Sequence, residues 1–100
     1  MQTTVVIAQY RQPQLTIACI ESLRRHHGDQ PEIIIVDDGS PAADVELLSR
    51  AGLGNVVLLR RPHRGVSAAW NAGARASSAD GLIFLNNDVV TTGPWVPRLI

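Results

Sequence analysis

Lysine is absent from the 100 residues, and all nine basic positions are arginine. That excludes Schiff-base chemistry and the phosphate-binding lysine of a P-loop. Cysteine is reduced to Cys19, so no internal disulfide can form, which fits a reducing compartment. Excess charge of either sign is missing too: nine basic residues balance nine acidic ones. There is thus no electrostatic case for non-specific binding to nucleic acid or anionic membranes. No apolar run approaches the roughly 20 residues needed to span a bilayer. The opening Met1-Gln2-Thr3-Thr4 lacks the positive n-region of a signal peptide. The expected location is the cytoplasm, with a peripheral place at the inner face of the membrane left open. His26 and His27 have no second ligand set that would make a zinc site, and Cys19 reads as a core thiol. The first turn has no Gly-x-Gly-x-x-Gly, which excludes a dinucleotide-binding fingerprint.

What is present is a series of short strand-type runs separated by helical patterns. Residues 4–9 form a continuous apolar run of the kind covered on both faces. A helix is expected next, with Pro13 near its start, Leu15, Ala18, Cys19, Ser22 and Leu23 at helical spacing, and Gly28 as its stop. Residues 32–37 give a second strand. Ser40 reads as an N-cap with Pro41 at the first helical position, ahead of a stripe of Val45, Leu48 and Ala51. Asn55 to Leu59 is the third strand, Val66 to Ser78 an alanine-rich helix, and 82–86 the fourth strand. This β-α-β-α-β-α-β order, with crossovers of this length, predicts parallel strands. The closing Gly93-Pro94-Trp95-Val96-Pro97-Arg98-Leu99-Ile100 reads as a helix just beginning. The expectation is one domain portion, residues 1–100, continuing beyond Ile100.

Three of the runs lead directly into polar clusters. Val5-Val6-Ile7-Ala8 precedes Gln9-Tyr10-Arg11, Ile33-Ile34-Ile35-Val36 precedes Asp37-Asp38-Gly39-Ser40, and Leu82-Ile83-Phe84-Leu85 precedes Asn86-Asn87-Asp88. If the strands are parallel neighbours, all three clusters share the sheet edge where open α/β folds bind ligands. A carboxylate at such an edge can accept a hydrogen bond from a ribose hydroxyl or a base N–H. Asp, Gly and Ser also suffice for a turn and a helix cap, but two adjacent carboxylates repel each other and tilt the reading toward binding. One carboxylate with two amides would suit a hard divalent cation arriving with a diphosphate, although Asn and Asp are also common turn formers. The basic run Arg60, Arg61, His63 and Arg64 could meet phosphate, and Tyr10 offers a ring for a planar base. A receiver domain is excluded, because it would need a phosphoacceptor Asp on a middle strand and a later lysine.

In their order and spacing, Val5 to Tyr10, Ile35 to Ser40, Arg64 to Gly73 and Phe84 to Val89 resemble the family 2 glycosyltransferases with the GT-A fold. The resemblance covers essentially the whole chain. It implies the N-terminal part of a Rossmann-like, three-layer α/β sandwich with a mainly parallel sheet. It further implies that Ala8, through its backbone, and Tyr10, by stacking, lie against a nucleotide base, and that Asp38 hydrogen-bonds that base with Asp37 nearby. Arg64 and the helix start after it would face the donor's phosphates or sugar. Asn87 and Asp88 match the end of the family's metal-binding Asp-x-Asp motif, with Asp88 the ligand to Mg or Mn. Asn86 stands where that motif begins with an acid, and the Asn-Asn-Asp form resembles members acting in bacterial surface polysaccharide synthesis.

The implied activity is inverting transfer of a sugar from a nucleoside-diphosphate sugar to a hydroxyl on a saccharide or lipid-linked saccharide. Its general base matches nothing in residues 1–100, so the isolated chain is expected to bind donor without turning over. Neither nucleic acid nor a transmembrane segment is expected. Two alternatives stand beside this: a non-catalytic nucleotide-binding module, and a sugar-phosphate nucleotidyltransferase. The second usually opens with a glycine-rich loop and uses a lysine, and this chain has neither.

Overall fold

The computed structural model describes residues 2–28 and 31–86. Seven elements alternate along the chain: β1 (Thr3–Gln9), α1 (Pro13–His27), β2 (Glu32–Asp37), α2 (Ala42–Arg50), β3 (Val56–Arg60), α3 (Val66–Ala76) and β4 (Gly81–Asn86). The four strands form one sheet in the order β3-β2-β1-β4, and every pairing is parallel. The chain steps outward from β1 through β2 to β3, then crosses back to the far side of β1 to lay down β4. The strand order therefore reverses at β1, and that is where an open α/β sheet has its binding crevice.

The sheet is covered on both faces. One face presents Val5, Ile7, Ile33 and Ile35 to Cys19, Ile20 and Leu23 of α1 and Leu48 of α2. The other presents Val6, Ile34 and Val36 to Ala69 of α3, with Ala8, Leu59, Trp70 and Ala72 at its margin. This explains why β1 and β2 read as unbroken apolar runs: alternate residues enter opposite cores. Fully burying each such side chain contributes about 1.5–3 kcal/mol, so the two central strands carry most of the fold. Toward the edges the pattern reverts to alternation, and Val57, Leu82 and Phe84 are exposed.

Gly73 sets how closely α3 approaches the sheet. A Cβ there would overlap Val6 Cγ1 and come within 3.2 Å of Val36 Cγ2. At the opposite end of the sheet, Arg24 of α1 ties the loops together. Its guanidinium donates to the carbonyls of Gly28, Pro31, Leu53 and Asn55.

Some local expectations shift. Leu15 faces outward, and Pro13, Thr16 and Ile20 join Cys19, Ser22 and Leu23 on the buried side of α1. Val66 and Ala76 are exposed rather than packed. Ser40 does not cap α2, whose N-cap is Pro41. The Ser40 hydroxyl turns inward, because its backbone N–H is held by Asp37 Oδ2 at 3.0 Å. The helix expected from Pro94 lies outside the described residues.

Candidate functional site

The parallel register brings the polar clusters to one rim. Gln9 stands opposite Asp37, Asp37 opposite Arg60, and Ala8 opposite Asn86. All four strands therefore end together, and a cleft of about 210 Å³ opens there, lined by Ala8, Gln9, Tyr10, Asp38, His63, Gly65, Val66 and Asn86.

A buried polar network supports the cleft floor. Gln9, on the last residue of β1, donates through Nε2 to Ser40 Oγ at 3.2 Å and to Asp37 Oδ1 at 3.5 Å. Its Oε1 accepts from Thr16 Oγ1 at 2.5 Å, and Ser40 Oγ also accepts the backbone N–H of Arg11 at 2.8 Å. The ends of β1 and β2 are thereby locked to the first turns of α1. Arg11 itself sits at φ 60°, a left-handed conformation that costs a non-glycine residue about 1–3 kcal/mol and persists where surrounding contacts enforce it. Asp37 is only 1% exposed; with one oxygen on Gln9 and the other on the Ser40 amide, it holds the turn from below.

Asp38 makes the second junction. Its Oδ1 accepts the Arg64 N–H at 3.0 Å and its Oδ2 the Gly65 N–H at 2.8 Å. Oδ2 also lies 3.0 Å from His63 Nδ1. The carboxylate, 3% exposed, thus clamps the loop between β3 and α3 onto the end of β2. It also sets a negative charge at the positive end of the α3 dipole. Gly39 permits this closeness in two ways: its φ is +94°, and a Cβ there would lie 2.7 Å from the His63 backbone N.

Tyr10 forms the outer wall. Its ring stacks on His63, with centroids 4.3 Å apart and planes at 30°, and the Arg11 guanidinium lies 5.3 Å from its centroid.

Ala8, Tyr10 and Asp38 are thus brought together at one cleft, as their positions in the sequence suggest. Asp37 lies one layer deeper and does not line it. Arg64 enters through its backbone amide, its side chain being exposed and not part of the lining. Asn87 and Asp88 lie outside the described residues. Four lining residues go beyond the sequence expectation: Gln9, His63, Gly65 and Val66. The signal for them was topological. To carry α3 from β3 across to β4 on the far side of β1, the 61–65 loop must pass over the end of β2, so His63 is drawn onto Asp38.

Oxygen donors for a cation are sparse among the described residues. No group of three His, Cys, Asp or Glu side chains is placed to hold a metal ion, and both Asp38 oxygens are taken by protein donors. Asn86 alone offers an uncommitted side-chain oxygen at the cleft mouth. These residues do not make a metal centre by themselves.

Solved structures share this architecture at low sequence identity. The mannosyltransferase PcManGT from Pyrobaculum calidifontis, in complex with GDP-Man and Mn2+, superposes with a TM-score of 0.83 at 17% identity, over 94% of this chain and 29% of that one. S. aureus TarS 1–349 in complex with UDP gives 0.84 at 14% identity, over 99% of this chain and 31% of the other. Among curated proteins, the putative glycosyltransferase EpsH of Bacillus subtilis (strain 168) is 30% identical over 87 residues, 85% of this chain and 25% of its own length. The succinoglycan biosynthesis protein ExoM of Rhizobium meliloti (strain 1021) is 28% identical over 99 residues, 94% of this chain and 32% of its own length. The chain therefore spans a quarter to a third of these curated relatives. Residues 4–100 match the description of Glycosyl transferase family 2, and with an α/β fold whose solved neighbours are glycosyltransferases, this chain belongs to the family 2 glycosyltransferases.

Proposed function

We propose that residues 1–100 hold the nucleotide end of a nucleoside-diphosphate sugar, and that the whole protein transfers the sugar to a hydroxyl acceptor with inversion. The observation that carries this is the cleft at the strand-order reversal, where Ala8, Tyr10, Asp38 and Asn86 meet. It is wide enough for a planar base and has an aromatic wall and a polar floor. Solved neighbours hold GDP-Man with Mn2+ or UDP, which supports the same ligand class here. A relative named for succinoglycan biosynthesis supports a saccharide or lipid-linked saccharide acceptor in polysaccharide synthesis.

Within this proposal each element of the site has a task. The Ala8 backbone and Tyr10 ring bound the base, and the polar floor keeps the rim rigid. The exposed start of α3 and the Arg64 side chain approach the diphosphate; the first N–H groups of a helix suit an anion. Asp88, with Asn86 and Asn87 beside it in sequence, would hold Mg or Mn. Such a cation, when bound, offsets charge building on the departing nucleoside diphosphate. The base that takes the acceptor proton belongs to sequence beyond Ile100. No described helix is long and apolar enough to cross a membrane, and a cytoplasmic place, peripheral to the inner membrane face, belongs to the same proposal.

Titration of the chain with UDP, dTDP and GDP, with and without Mn2+, tests this. The expected result is binding of at least one nucleotide, strengthened by Mn2+, with no sugar transfer by the chain alone. Binding indifferent to Mn2+ would favour a module without transferase chemistry, and turnover by these 100 residues would refute the assignment of the base to later sequence.

A further inference from the structure

The ring of His63 is held from two sides. Its Nδ1 lies 3.0 Å from the backbone oxygen of Asp38 and 3.0 Å from Asp38 Oδ2. Both neighbours are acceptors, so Nδ1 carries the proton. Tyr10 lies against the ring face at 4.3 Å, and the His63 backbone is seated against Gly39. Despite this fixation the side chain is 58% exposed and lines the cleft. The remaining ring nitrogen, Nε2, makes no hydrogen bond to any described residue. Asp38 presents the opposite case, since both its oxygens are bound to protein donors and it is buried. An incoming base therefore meets an imidazole before it meets a carboxylate.

We propose that His63 is the base-reading residue of this cleft. Its neutral ring, with the proton on Nδ1, accepts through Nε2 the ring N–H of a uracil-, thymine- or guanine-type base. Tyr10 and Asp38 are then positioning residues for His63, and Tyr10 acts on the base through the ring it holds. Cytosine and adenine present a lone pair at the corresponding ring nitrogen, which sets acceptor against acceptor and leaves both unpaired. The sequence offers no such reader elsewhere on the rim, because lysine is absent and Asp37 is enclosed. This inference rests on the nucleotide-binding reading above and narrows it to a class of base.

The test is calorimetric titration of the chain with UDP, GDP, CDP and ADP, for wild type and for His63→Phe. The substituted side chain keeps an aromatic ring against Tyr10 but has no acceptor. Wild type is expected to prefer UDP or GDP over CDP and ADP by roughly tenfold, the worth of one well-placed hydrogen bond. The variant is expected to bind while losing that preference. A ligand-side probe needs no variant: UDP methylated at N3 of uracil should bind wild type at least roughly tenfold more weakly than UDP. Equal affinity for UDP and CDP in wild type, or a preference that survives in the folded variant, overturns the role of His63 and leaves the nucleotide reading intact. Failure of every nucleoside diphosphate to bind wild type overturns both.

Discussion

Replacing Asp38 with alanine separates two roles that a buried acidic residue at a strand end could have. If Asp38 served only to contact a ligand, its removal would leave the free protein nearly as stable as before. The structure instead places its carboxylate on two backbone amides, at 3.0 and 2.8 Å, and on the His63 ring. Hydrogen bonds to a charged group contribute about 1.5–3 kcal/mol each, and a charge at a helix N-terminus adds about 0.3–1 kcal/mol. Two effects reduce the sum. The carboxylate must shed its own water on folding, and the loop it clamps is only partly buried, so water can reach the freed amides. A loss of about 2–4 kcal/mol is the balance, within the range for breaking buried polar partners. For a chain of this size that lowers the thermal midpoint by on the order of 10–20 °C. Urea unfolding followed by far-UV circular dichroism measures it as a shift in midpoint at constant slope. Asp38→Asn should lose less, since one acceptor oxygen remains. Glu46→Ala serves as the control, because Glu46 pairs only with Arg50 on the exposed face of α2, and such changes stay within about 0.5 kcal/mol. A loss for Asp38→Ala no larger than that of the control would refute the clamp.

Gly73→Ala should destabilise despite placing the best helix former inside α3. The propensity gain of about 1 kcal/mol is outweighed by overpacking against Val6 and Val36, which costs about 1–3 kcal/mol, and urea unfolding should show a net loss. His27 is held below the usual imidazole range, first by burial and then by the neighbouring charge of His26. The unfolded chain takes up this proton near about pH 6.5 while the folded chain resists it, so the unfolded state binds more protons and stability falls as pH drops below that point. His27→Gln should flatten this part of the stability profile, and wild type and variant with the same slope there would contradict the assignment.

The fold was legible because β1 and β2 are two-faced apolar runs, and no other element accepts Val5, Val6, Ile7, Ile33, Ile34, Ile35 and Val36 so fully buried. Strand ends could be placed closely for the same reason: Gln9 and Asp37 interrupt the apolar pattern where the rim begins. The local roles of the rim residues were harder to read. Asp37, Asp38 and Ser40 looked interchangeable as turn chemistry, yet one holds the floor, one clamps the α3 loop and one accepts the Arg11 amide. Those assignments depend on contacts between residues some 25–30 positions apart, which no short window displays. His63 was legible only as one of a basic run. Its place over Asp38 follows from the crossover of α3, a property of strand order rather than of neighbouring residues. Leu15 misled because helical spacing alone does not say which of two adjoining faces meets the sheet.

The central claim is that a nucleoside diphosphate occupies the rim where β1, β2 and β4 end. Mapping of backbone amide chemical shifts on titrating UDP or GDP tests it most directly. The account predicts that the largest changes fall on Ala8, Tyr10, Asp38, His63, Gly65 and Val66, with the Arg24 end of the sheet unmoved. Changes centred on the Arg24 end, or none with either nucleotide, would contradict it.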